Sequence, residues 1–252
     1  VWGFYFLTTL YFCAIEPRLK LFELVPIRWT HNLVVIATCA FTAYLFLTFL
    51  PSYIEGISPM ATYLLVGTVI VLAVVSSTRL SVLRVLSLSS TGLFFVLIAA
   101  AWQASGVGVS GLLGTMSGLS RYLANLDRFI LPINDYHGFY LSWWFAWSIM
   151  IGQFVARFVN GMAAWKLLIA ILIVPSIPIA LWFSVLFGYF AGGTPVSASI
   201  TLLMIVVGIL FVINSLDSLT RLYSQNLGLT VEALGRYRYV LTHAGILASW
   251  VV

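Results

Sequence analysis

Three tryptophans, Trp143, Trp144 and Trp147, crowd into the run GFYLSWWFAWSIMIGQFVARF between Gly138 and Phe158. Aromatic faces attract cations through the ring quadrupole, each contact contributing about 0.5 to 2 kcal/mol depending on how far water is excluded. Several rings around one trimethylammonium group would hold it without a buried carboxylate. On a helix, Trp143 and Trp147 share a face, while Tyr140, Trp144, Trp147 and Ile151 form an overlapping stripe. The same rings also fit an aromatic belt at the outer headgroup level, because they fall early in an apolar run.

A second group offers oxygen instead of rings. Asn214, Ser215, Asp217 and Ser218 interrupt an otherwise apolar stretch. Sodium takes oxygen ligands, and a span that supplies several at one level is a candidate cation site. Asp217 has a competing use, since Arg221 follows four residues later and an acid ahead of a base at that spacing makes a favourable helical pair. Other chemistry is not indicated. His31, His137 and His243 stand singly, without the paired histidines or carboxylates of a metal centre, and no phosphate loop or nucleophile motif is present. An enzyme is therefore not expected, nor a cofactor, nor any metal besides sodium. Cys13 and Cys39 have no partner spacing and read as small core residues.

The elements that would position these groups are membrane helices. Of 252 residues, 62% are hydrophobic and 8% charged, against about 25% charged in soluble domains. The net charge of +5 comes with no basic stripe, so nucleic acid is not an expected partner; membrane lipid is. A helix crossing a bilayer needs roughly 20 apolar residues. Stretches 1–15, 33–51, 60–77, 86–103, 138–159, 167–190, 198–220 and 237–252 meet or approach this, the first and last being cut short by the ends of the sequence. Because Val1 and Val252 both lie inside apolar runs, the sequence reads as an excerpt of a longer chain. Pro175 and Pro178 predict a kink within 167–190.

Positive charge sets the orientation. With the first span running inward, Arg18, Lys20, Arg28, Arg79, Arg84, Arg157, Lys166, Arg221, Arg236 and Arg238 fall on the cytoplasmic side of the plasma (inner) membrane, and only Arg121 and Arg128 fall outside. Arg157 is placed to snorkel to the inner headgroups. Between Ala104 and His137 the chain is too polar to span. There LLGTMSGLSRYLANLDRFILPI places Leu112, Met116, Leu119, Leu123, Leu126 and Ile130 at helical spacing, which predicts an amphipathic helix along the outer surface.

With these features in view, the chain resembles the betaine/choline/carnitine transporter family. FYLSWWFAWSIMIGQFVARF is similar to that family's eighth-helix signature, with matches at Phe139, Tyr140, Trp143, Trp144, Trp147, Phe154, Ala156 and Arg157 and departures at Leu141 and Ile149. WGFYFLTTLYF (Trp2 to Phe12) resembles the fourth helix and LVVIATCAF the fifth. LLIAILIVPSIPIALWFSVLFG resembles the ninth, and FVINSLDS the tenth. The resemblance implies an all-α integral membrane protein, a multi-pass bundle of inverted-repeat architecture with about eight spans and one amphipathic surface helix. Residues 1–103 would carry four spans of the first repeat, 104–137 the connector, and 138–252 the second repeat.

The function this implies is secondary transport of a quaternary ammonium compound (betaine, choline or carnitine) by alternating access, with sodium as coupling ion. Trp144 and Trp147 would contact substrate, with Trp143 on the access path and Tyr140 and Trp2 completing the rings. Ser215 and Asn214, with the backbone near Phe211, would form the cation site. The family's trimers imply a homotrimer. Leu7 and Leu10 stand where the family has Trp and Tyr, and TRLSVL (Thr78 to Leu83) where it is glycine-rich. These departures favour an alternative, a transport-inactive structural subunit of a hetero-oligomeric membrane complex.

Overall fold

The computed structural model describes residues 2–54, 56–159 and 161–251, and among them every regular element is helical. In chain order the α-helices are α1 (Trp2–Leu10), α2 (Glu16–Leu19), α3 (Val25–Phe49), α4 (Pro59–Ser77), α5 (Leu80–Ser105) and α6 (Val109–Ala124). After them come α7 (Asp135–Val159), α8 (Ala164–Leu168), α9 (Ser176–Gly192), α10 (Ala198–Leu227), α11 (Val231–Leu234) and α12 (Arg236–Val251). Among the described residues, five stretches are long and apolar enough to cross a membrane: Val25–Ser52, Pro59–Ser77, Leu80–Ser105, Ala164–Gly192 and Ala198–Leu227. The protein is an all-α, multi-pass membrane protein. α1, α7 and α12 cover the remaining expected spans as shorter or more polar helices.

Local chemistry explains the boundaries. Ser58 caps α4, its side chain accepting from the Ala61 amide at 3.2 Å, and Pro59 takes the first helical position, where its missing N–H costs nothing. α9 stops at Gly193, whose φ of 58° is a left-handed conformation that glycine adopts freely. Of the two prolines expected to disturb this span, Pro175 coincides with an interruption of the helix, while Pro178 sits in the first turn of α9 and leaves it unbroken. A π-helical turn, Ile169–Ile173, precedes Pro175, with the Val174 amide reaching back to the Ile169 carbonyl at 3.1 Å, and α9 restarts at Ser176. Proline cannot supply the next ladder amide, so the helix widens ahead of it and begins again behind it. A second π turn, Tyr11–Ile15, follows α1.

A helix forms in the connector, yet it is shorter than its apolar pattern. α6 ends at Ala124 because Asn125 closes it: the Asn125 amide and side chain both donate to the Arg121 carbonyl, at 3.2 and 2.7 Å. Leu126 then falls in a 3-10 turn and Ile130 beyond it. Asparagine competes for backbone partners in this way and ends helices that side-chain periodicity alone would extend. α6 packs on α9, with Leu112 the buried anchor.

The helices gather into two compact units that interleave along the chain. One holds the residues up to Pro17 with Phe94–Leu203, and the other holds Arg18–Leu93 with the residues from Met204 onward. In the first, α1 lies along α7 and α6 on α9. In the second, α12 packs against α3 and α4.

Candidate functional sites

The aromatic group belongs to the first unit and is built on the contact between α1 and α7. Its closest point is glycine. A Cβ on Gly152 would lie 2.5 Å from Thr8 Oγ1 and 2.8 Å from the Thr8 backbone carbonyl carbon, so no larger residue fits without moving a main chain. Thr8 Oγ1 also donates to the Ser148 carbonyl at 2.6 Å. Ser148 and Gly152 thus form a small-xxx-small step that brings two backbones together.

That close approach sets the rings. Phe4 meets Phe145 edge to face at 5.0 Å between centroids, and Tyr5 meets Trp144 at 6.4 Å with the planes inclined by 61°. Trp144 is 38% exposed and Tyr5 4%. Of the two, the Trp144 ring is the one open to a cation, which interacts usefully with a ring out to about 6 Å from its centroid. Trp147, one turn deeper, is 9% exposed, and its indole N–H has no hydrogen-bond partner among the described residues. Trp143 and Tyr140 join a separate cluster around Phe139, at 5.7 and 5.4 Å. The structure therefore brings Trp144 to Tyr5, and Trp143 to Phe139. The side chain of Trp2 lies outside the described residues.

Thr8, Gly152 and the Tyr5 contact escape sequence reasoning, although Ser148 and Gly152 at a spacing of four are a visible sign of close helix packing. Leu7, at a position where rings are expected by resemblance, is 59% exposed.

The oxygen-bearing group belongs to the second unit. Asn214 Oδ1 accepts from Ser87 Oγ at 3.0 Å, and the Asn214 carbonyl accepts from Ser218 Oγ at 2.9 Å. Ser215 is half-buried, and its hydroxyl bonds to no described residue. Phe211 is 38% exposed on the same face, one turn earlier. α10 is unbroken from Ala198 to Leu227, so its carbonyls are engaged along the helix and the Ser215 hydroxyl is the freest oxygen of the group.

Asp217 is committed elsewhere. It is fully buried, takes a hydrogen bond from Ser76 Oγ, and pairs with Arg221 Nε at 3.2 Å. Arg221 Nη2 donates to the Ser76 carbonyl at 3.2 Å and to the Arg79 carbonyl at 2.8 Å. A guanidinium here adds a second donor to two carbonyls that already accept from the Arg79 and Val82 amides, both at 3.2 Å, and complements the negative end of the α4 dipole. The pair seen in the sequence is thus a clasp from α10 to the turn between α4 and α5.

Comparison with known proteins gives these sites a context. A glycine betaine/proline/choline transporter of Vibrio parahaemolyticus is 29% identical over 127 residues, covering 47% of this chain and 21% of that protein. The glycine betaine transporter OpuD of Bacillus subtilis is 42% identical over 53 residues, 21% of this chain and 10% of its own length. Parts of this chain are homologous to betaine transporters. An uncharacterized transporter of Mycobacterium tuberculosis H37Rv is 30% identical over 76 residues, 27% of this chain and 13% of its own. The matched stretches thus span about a fifth or less of these relatives. No family model and no solved structure matches the chain. As a partial betaine-transporter relative with several apolar spans, it is a multi-pass protein of the plasma membrane.

Proposed function

We propose that this betaine-transporter relative moves a quaternary ammonium compound across the plasma membrane by alternating access, as part of an inverted-repeat architecture divided at 1–103, 104–137 and 138–252. The observation that carries the reading is the Trp144 ring, partly open and set against the buried Tyr5. It offers a trimethylammonium group one open aromatic surface, held in place by the buried Tyr5 ring behind it. Trp147 adds a buried N–H donor with no partner among the described residues. An unpaired buried donor costs about 1 to 3 kcal/mol, so a substrate acceptor such as a betaine carboxylate would be favoured by pairing with it. Trp143 stands on the access path and Tyr140 adds a further substrate-contacting ring. Ser215 and Asn214, near Phe211, hold a coupling sodium ion, and the protein works as a homotrimer.

The test is binding of betaine, choline and carnitine to purified protein, followed by calorimetry or tryptophan fluorescence. Trp144→Ala is expected to weaken the preferred ligand by about 0.5 to 2 kcal/mol, and Trp144→Phe, which keeps a ring face, by less. Absence of any saturable, Trp144-dependent binding removes the reading.

A second reading has its own observation. Leu7 is exposed where the family carries a ring, which thins the aromatic surround and leaves an apolar side chain for another subunit. A transport-inactive subunit of a larger membrane complex would copurify with unrelated membrane proteins and bind none of the three ligands.

A further inference from the structure

Within the first unit, α6 and α9 enclose a groove of about 740 Å³ between a glycine wall and an aromatic wall. Gly111, Gly114 and Gly118 form the α6 wall. Glycine is unfavourable inside a helix, and its usual justification is the close approach of another backbone. Gly111 has a packing reason, since a Cβ there would lie 2.8 Å from Val107 Cγ1, but no such approach exists at the other two: a Cβ on Gly114 or Gly118 would meet nothing within 4 Å. The missing side chains keep space open. The opposite wall carries Phe183 and Phe190, 61% and 82% exposed.

Two polar features give the groove a direction. Ser184 lines it while only 6% exposed, and its hydroxyl has no hydrogen-bond partner among the described residues. Thr115, also on the lining, instead donates to its own helix at 2.8 Å. Arg121 stands at the groove, exposed and paired with no carboxylate among the described residues. It is one of only two basic residues that charge asymmetry assigns to the outer side. A lone guanidinium beside an apolar channel complements one anionic headgroup.

We infer that this groove holds one anionic phospholipid of the outer leaflet, its phosphate on Arg121, its acyl chain between the glycine and phenylalanine walls, and an ester oxygen accepting from Ser184. The inference is independent of which substrate the protein carries.

The experiment is native mass spectrometry of the detergent-purified protein with phosphatidylglycerol or phosphatidylcholine added at equal concentration. The expected result is one phosphatidylglycerol per chain, retained about fivefold better than phosphatidylcholine, the worth of one basic residue at an anionic lipid surface. Arg121→Gln is expected to erase that preference and Arg121→Lys to keep most of it. Gly118→Leu, which fills the groove, is expected to remove both lipids with helicity by circular dichroism unchanged. Because Arg121 is exposed, its variants decide the matter even if Gly118→Leu does not fold. Equal retention of the two lipids by the unaltered protein overturns the inference. So does unchanged phosphatidylglycerol retention in folded Gly118→Leu, or a dimer that this variant alone abolishes, which would give the groove to a second copy.

Discussion

The two compact units hold their helices together by opposite means. In the unit containing α1 and α7, contact depends on having almost nothing in the way: Gly152 lets Thr8 approach until one methyl group would collide with main chain. In the unit containing α4, α10 and α12, contact depends on polar side chains. Asp217 and Arg221 join Ser76 and Arg79, Ser77 Oγ meets Tyr239 OH at 2.9 Å, and His243 Nδ1 and Nε2 meet Tyr223 OH and the Leu229 carbonyl, each at 2.9 Å. Lipid is as apolar as the helices, so burial of apolar surface does little to bring spans together. Close packing and hydrogen bonding remain as sources of attraction between helices: in the first unit a single hydroxyl, Thr8 to the Ser148 carbonyl, accompanies the tight α1–α7 contact, whereas in the second a network of polar side chains carries it. The site residues follow the same division. Rings mount on the tight α1–α7 contact, where packing fixes their angle, and oxygens mount beside the polar clasp.

Breaking the clasp should have the largest effect. Arg221→Met leaves Asp217, with no exposure, facing only a hydroxyl, and a stability loss of about 3 to 5 kcal/mol is expected. Thermal or denaturant unfolding in mixed micelles measures it. Adding Asp217→Asn should recover most of the loss; no recovery would mean that the carbonyl bonds of Arg221, not its charge, matter.

Overpacking the tight contact comes next. Gly152→Ala should cost about 1 to 3 kcal/mol. Pairing it with Thr8→Ala should restore only part, because the collision includes a backbone carbon 2.8 Å away. Full rescue by the double variant would show that the contact is set by side chains alone.

Single hydroxyls should matter less. Tyr239→Phe deletes the bond to Ser77 and is expected to cost about 0.5 to 1.5 kcal/mol. Smallest of all, Ser215→Ala should leave stability within about 0.5 kcal/mol, since that hydroxyl has no described partner. If the same variant also leaves sodium dependence of ligand binding untouched, Ser215 has no part in cation coupling.

Much of the helical plan was legible because it depends on residues close together in the chain. Apolar runs of span length, Pro175 at the interruption before α9 and Gly193 at a helix end all act locally, and so does the pairing of Asp217 with Arg221 one turn away. The early end of α6 was not legible, because the apolar spacing continues past Asn125 while backbone hydrogen bonding does not. Nor was the partner of Trp144. Tyr5 and Tyr11 both lie on the first helical segment, and only the rotation of α1 against α7 selects Tyr5.

Residue order alone thus determined that the chain is helical and membrane-spanning, and which transporters parts of it are related to, since composition, period and motif are properties of one line of residues. Tertiary structure decided which rings meet, which oxygens remain free and what each polar group is used for. Thr8 reaches Ser148 across 140 positions and Ser76 reaches Asp217 across 141. Contacts over such separations depend on how helices rotate and approach, and a single methyl group at Gly152 is enough to change that.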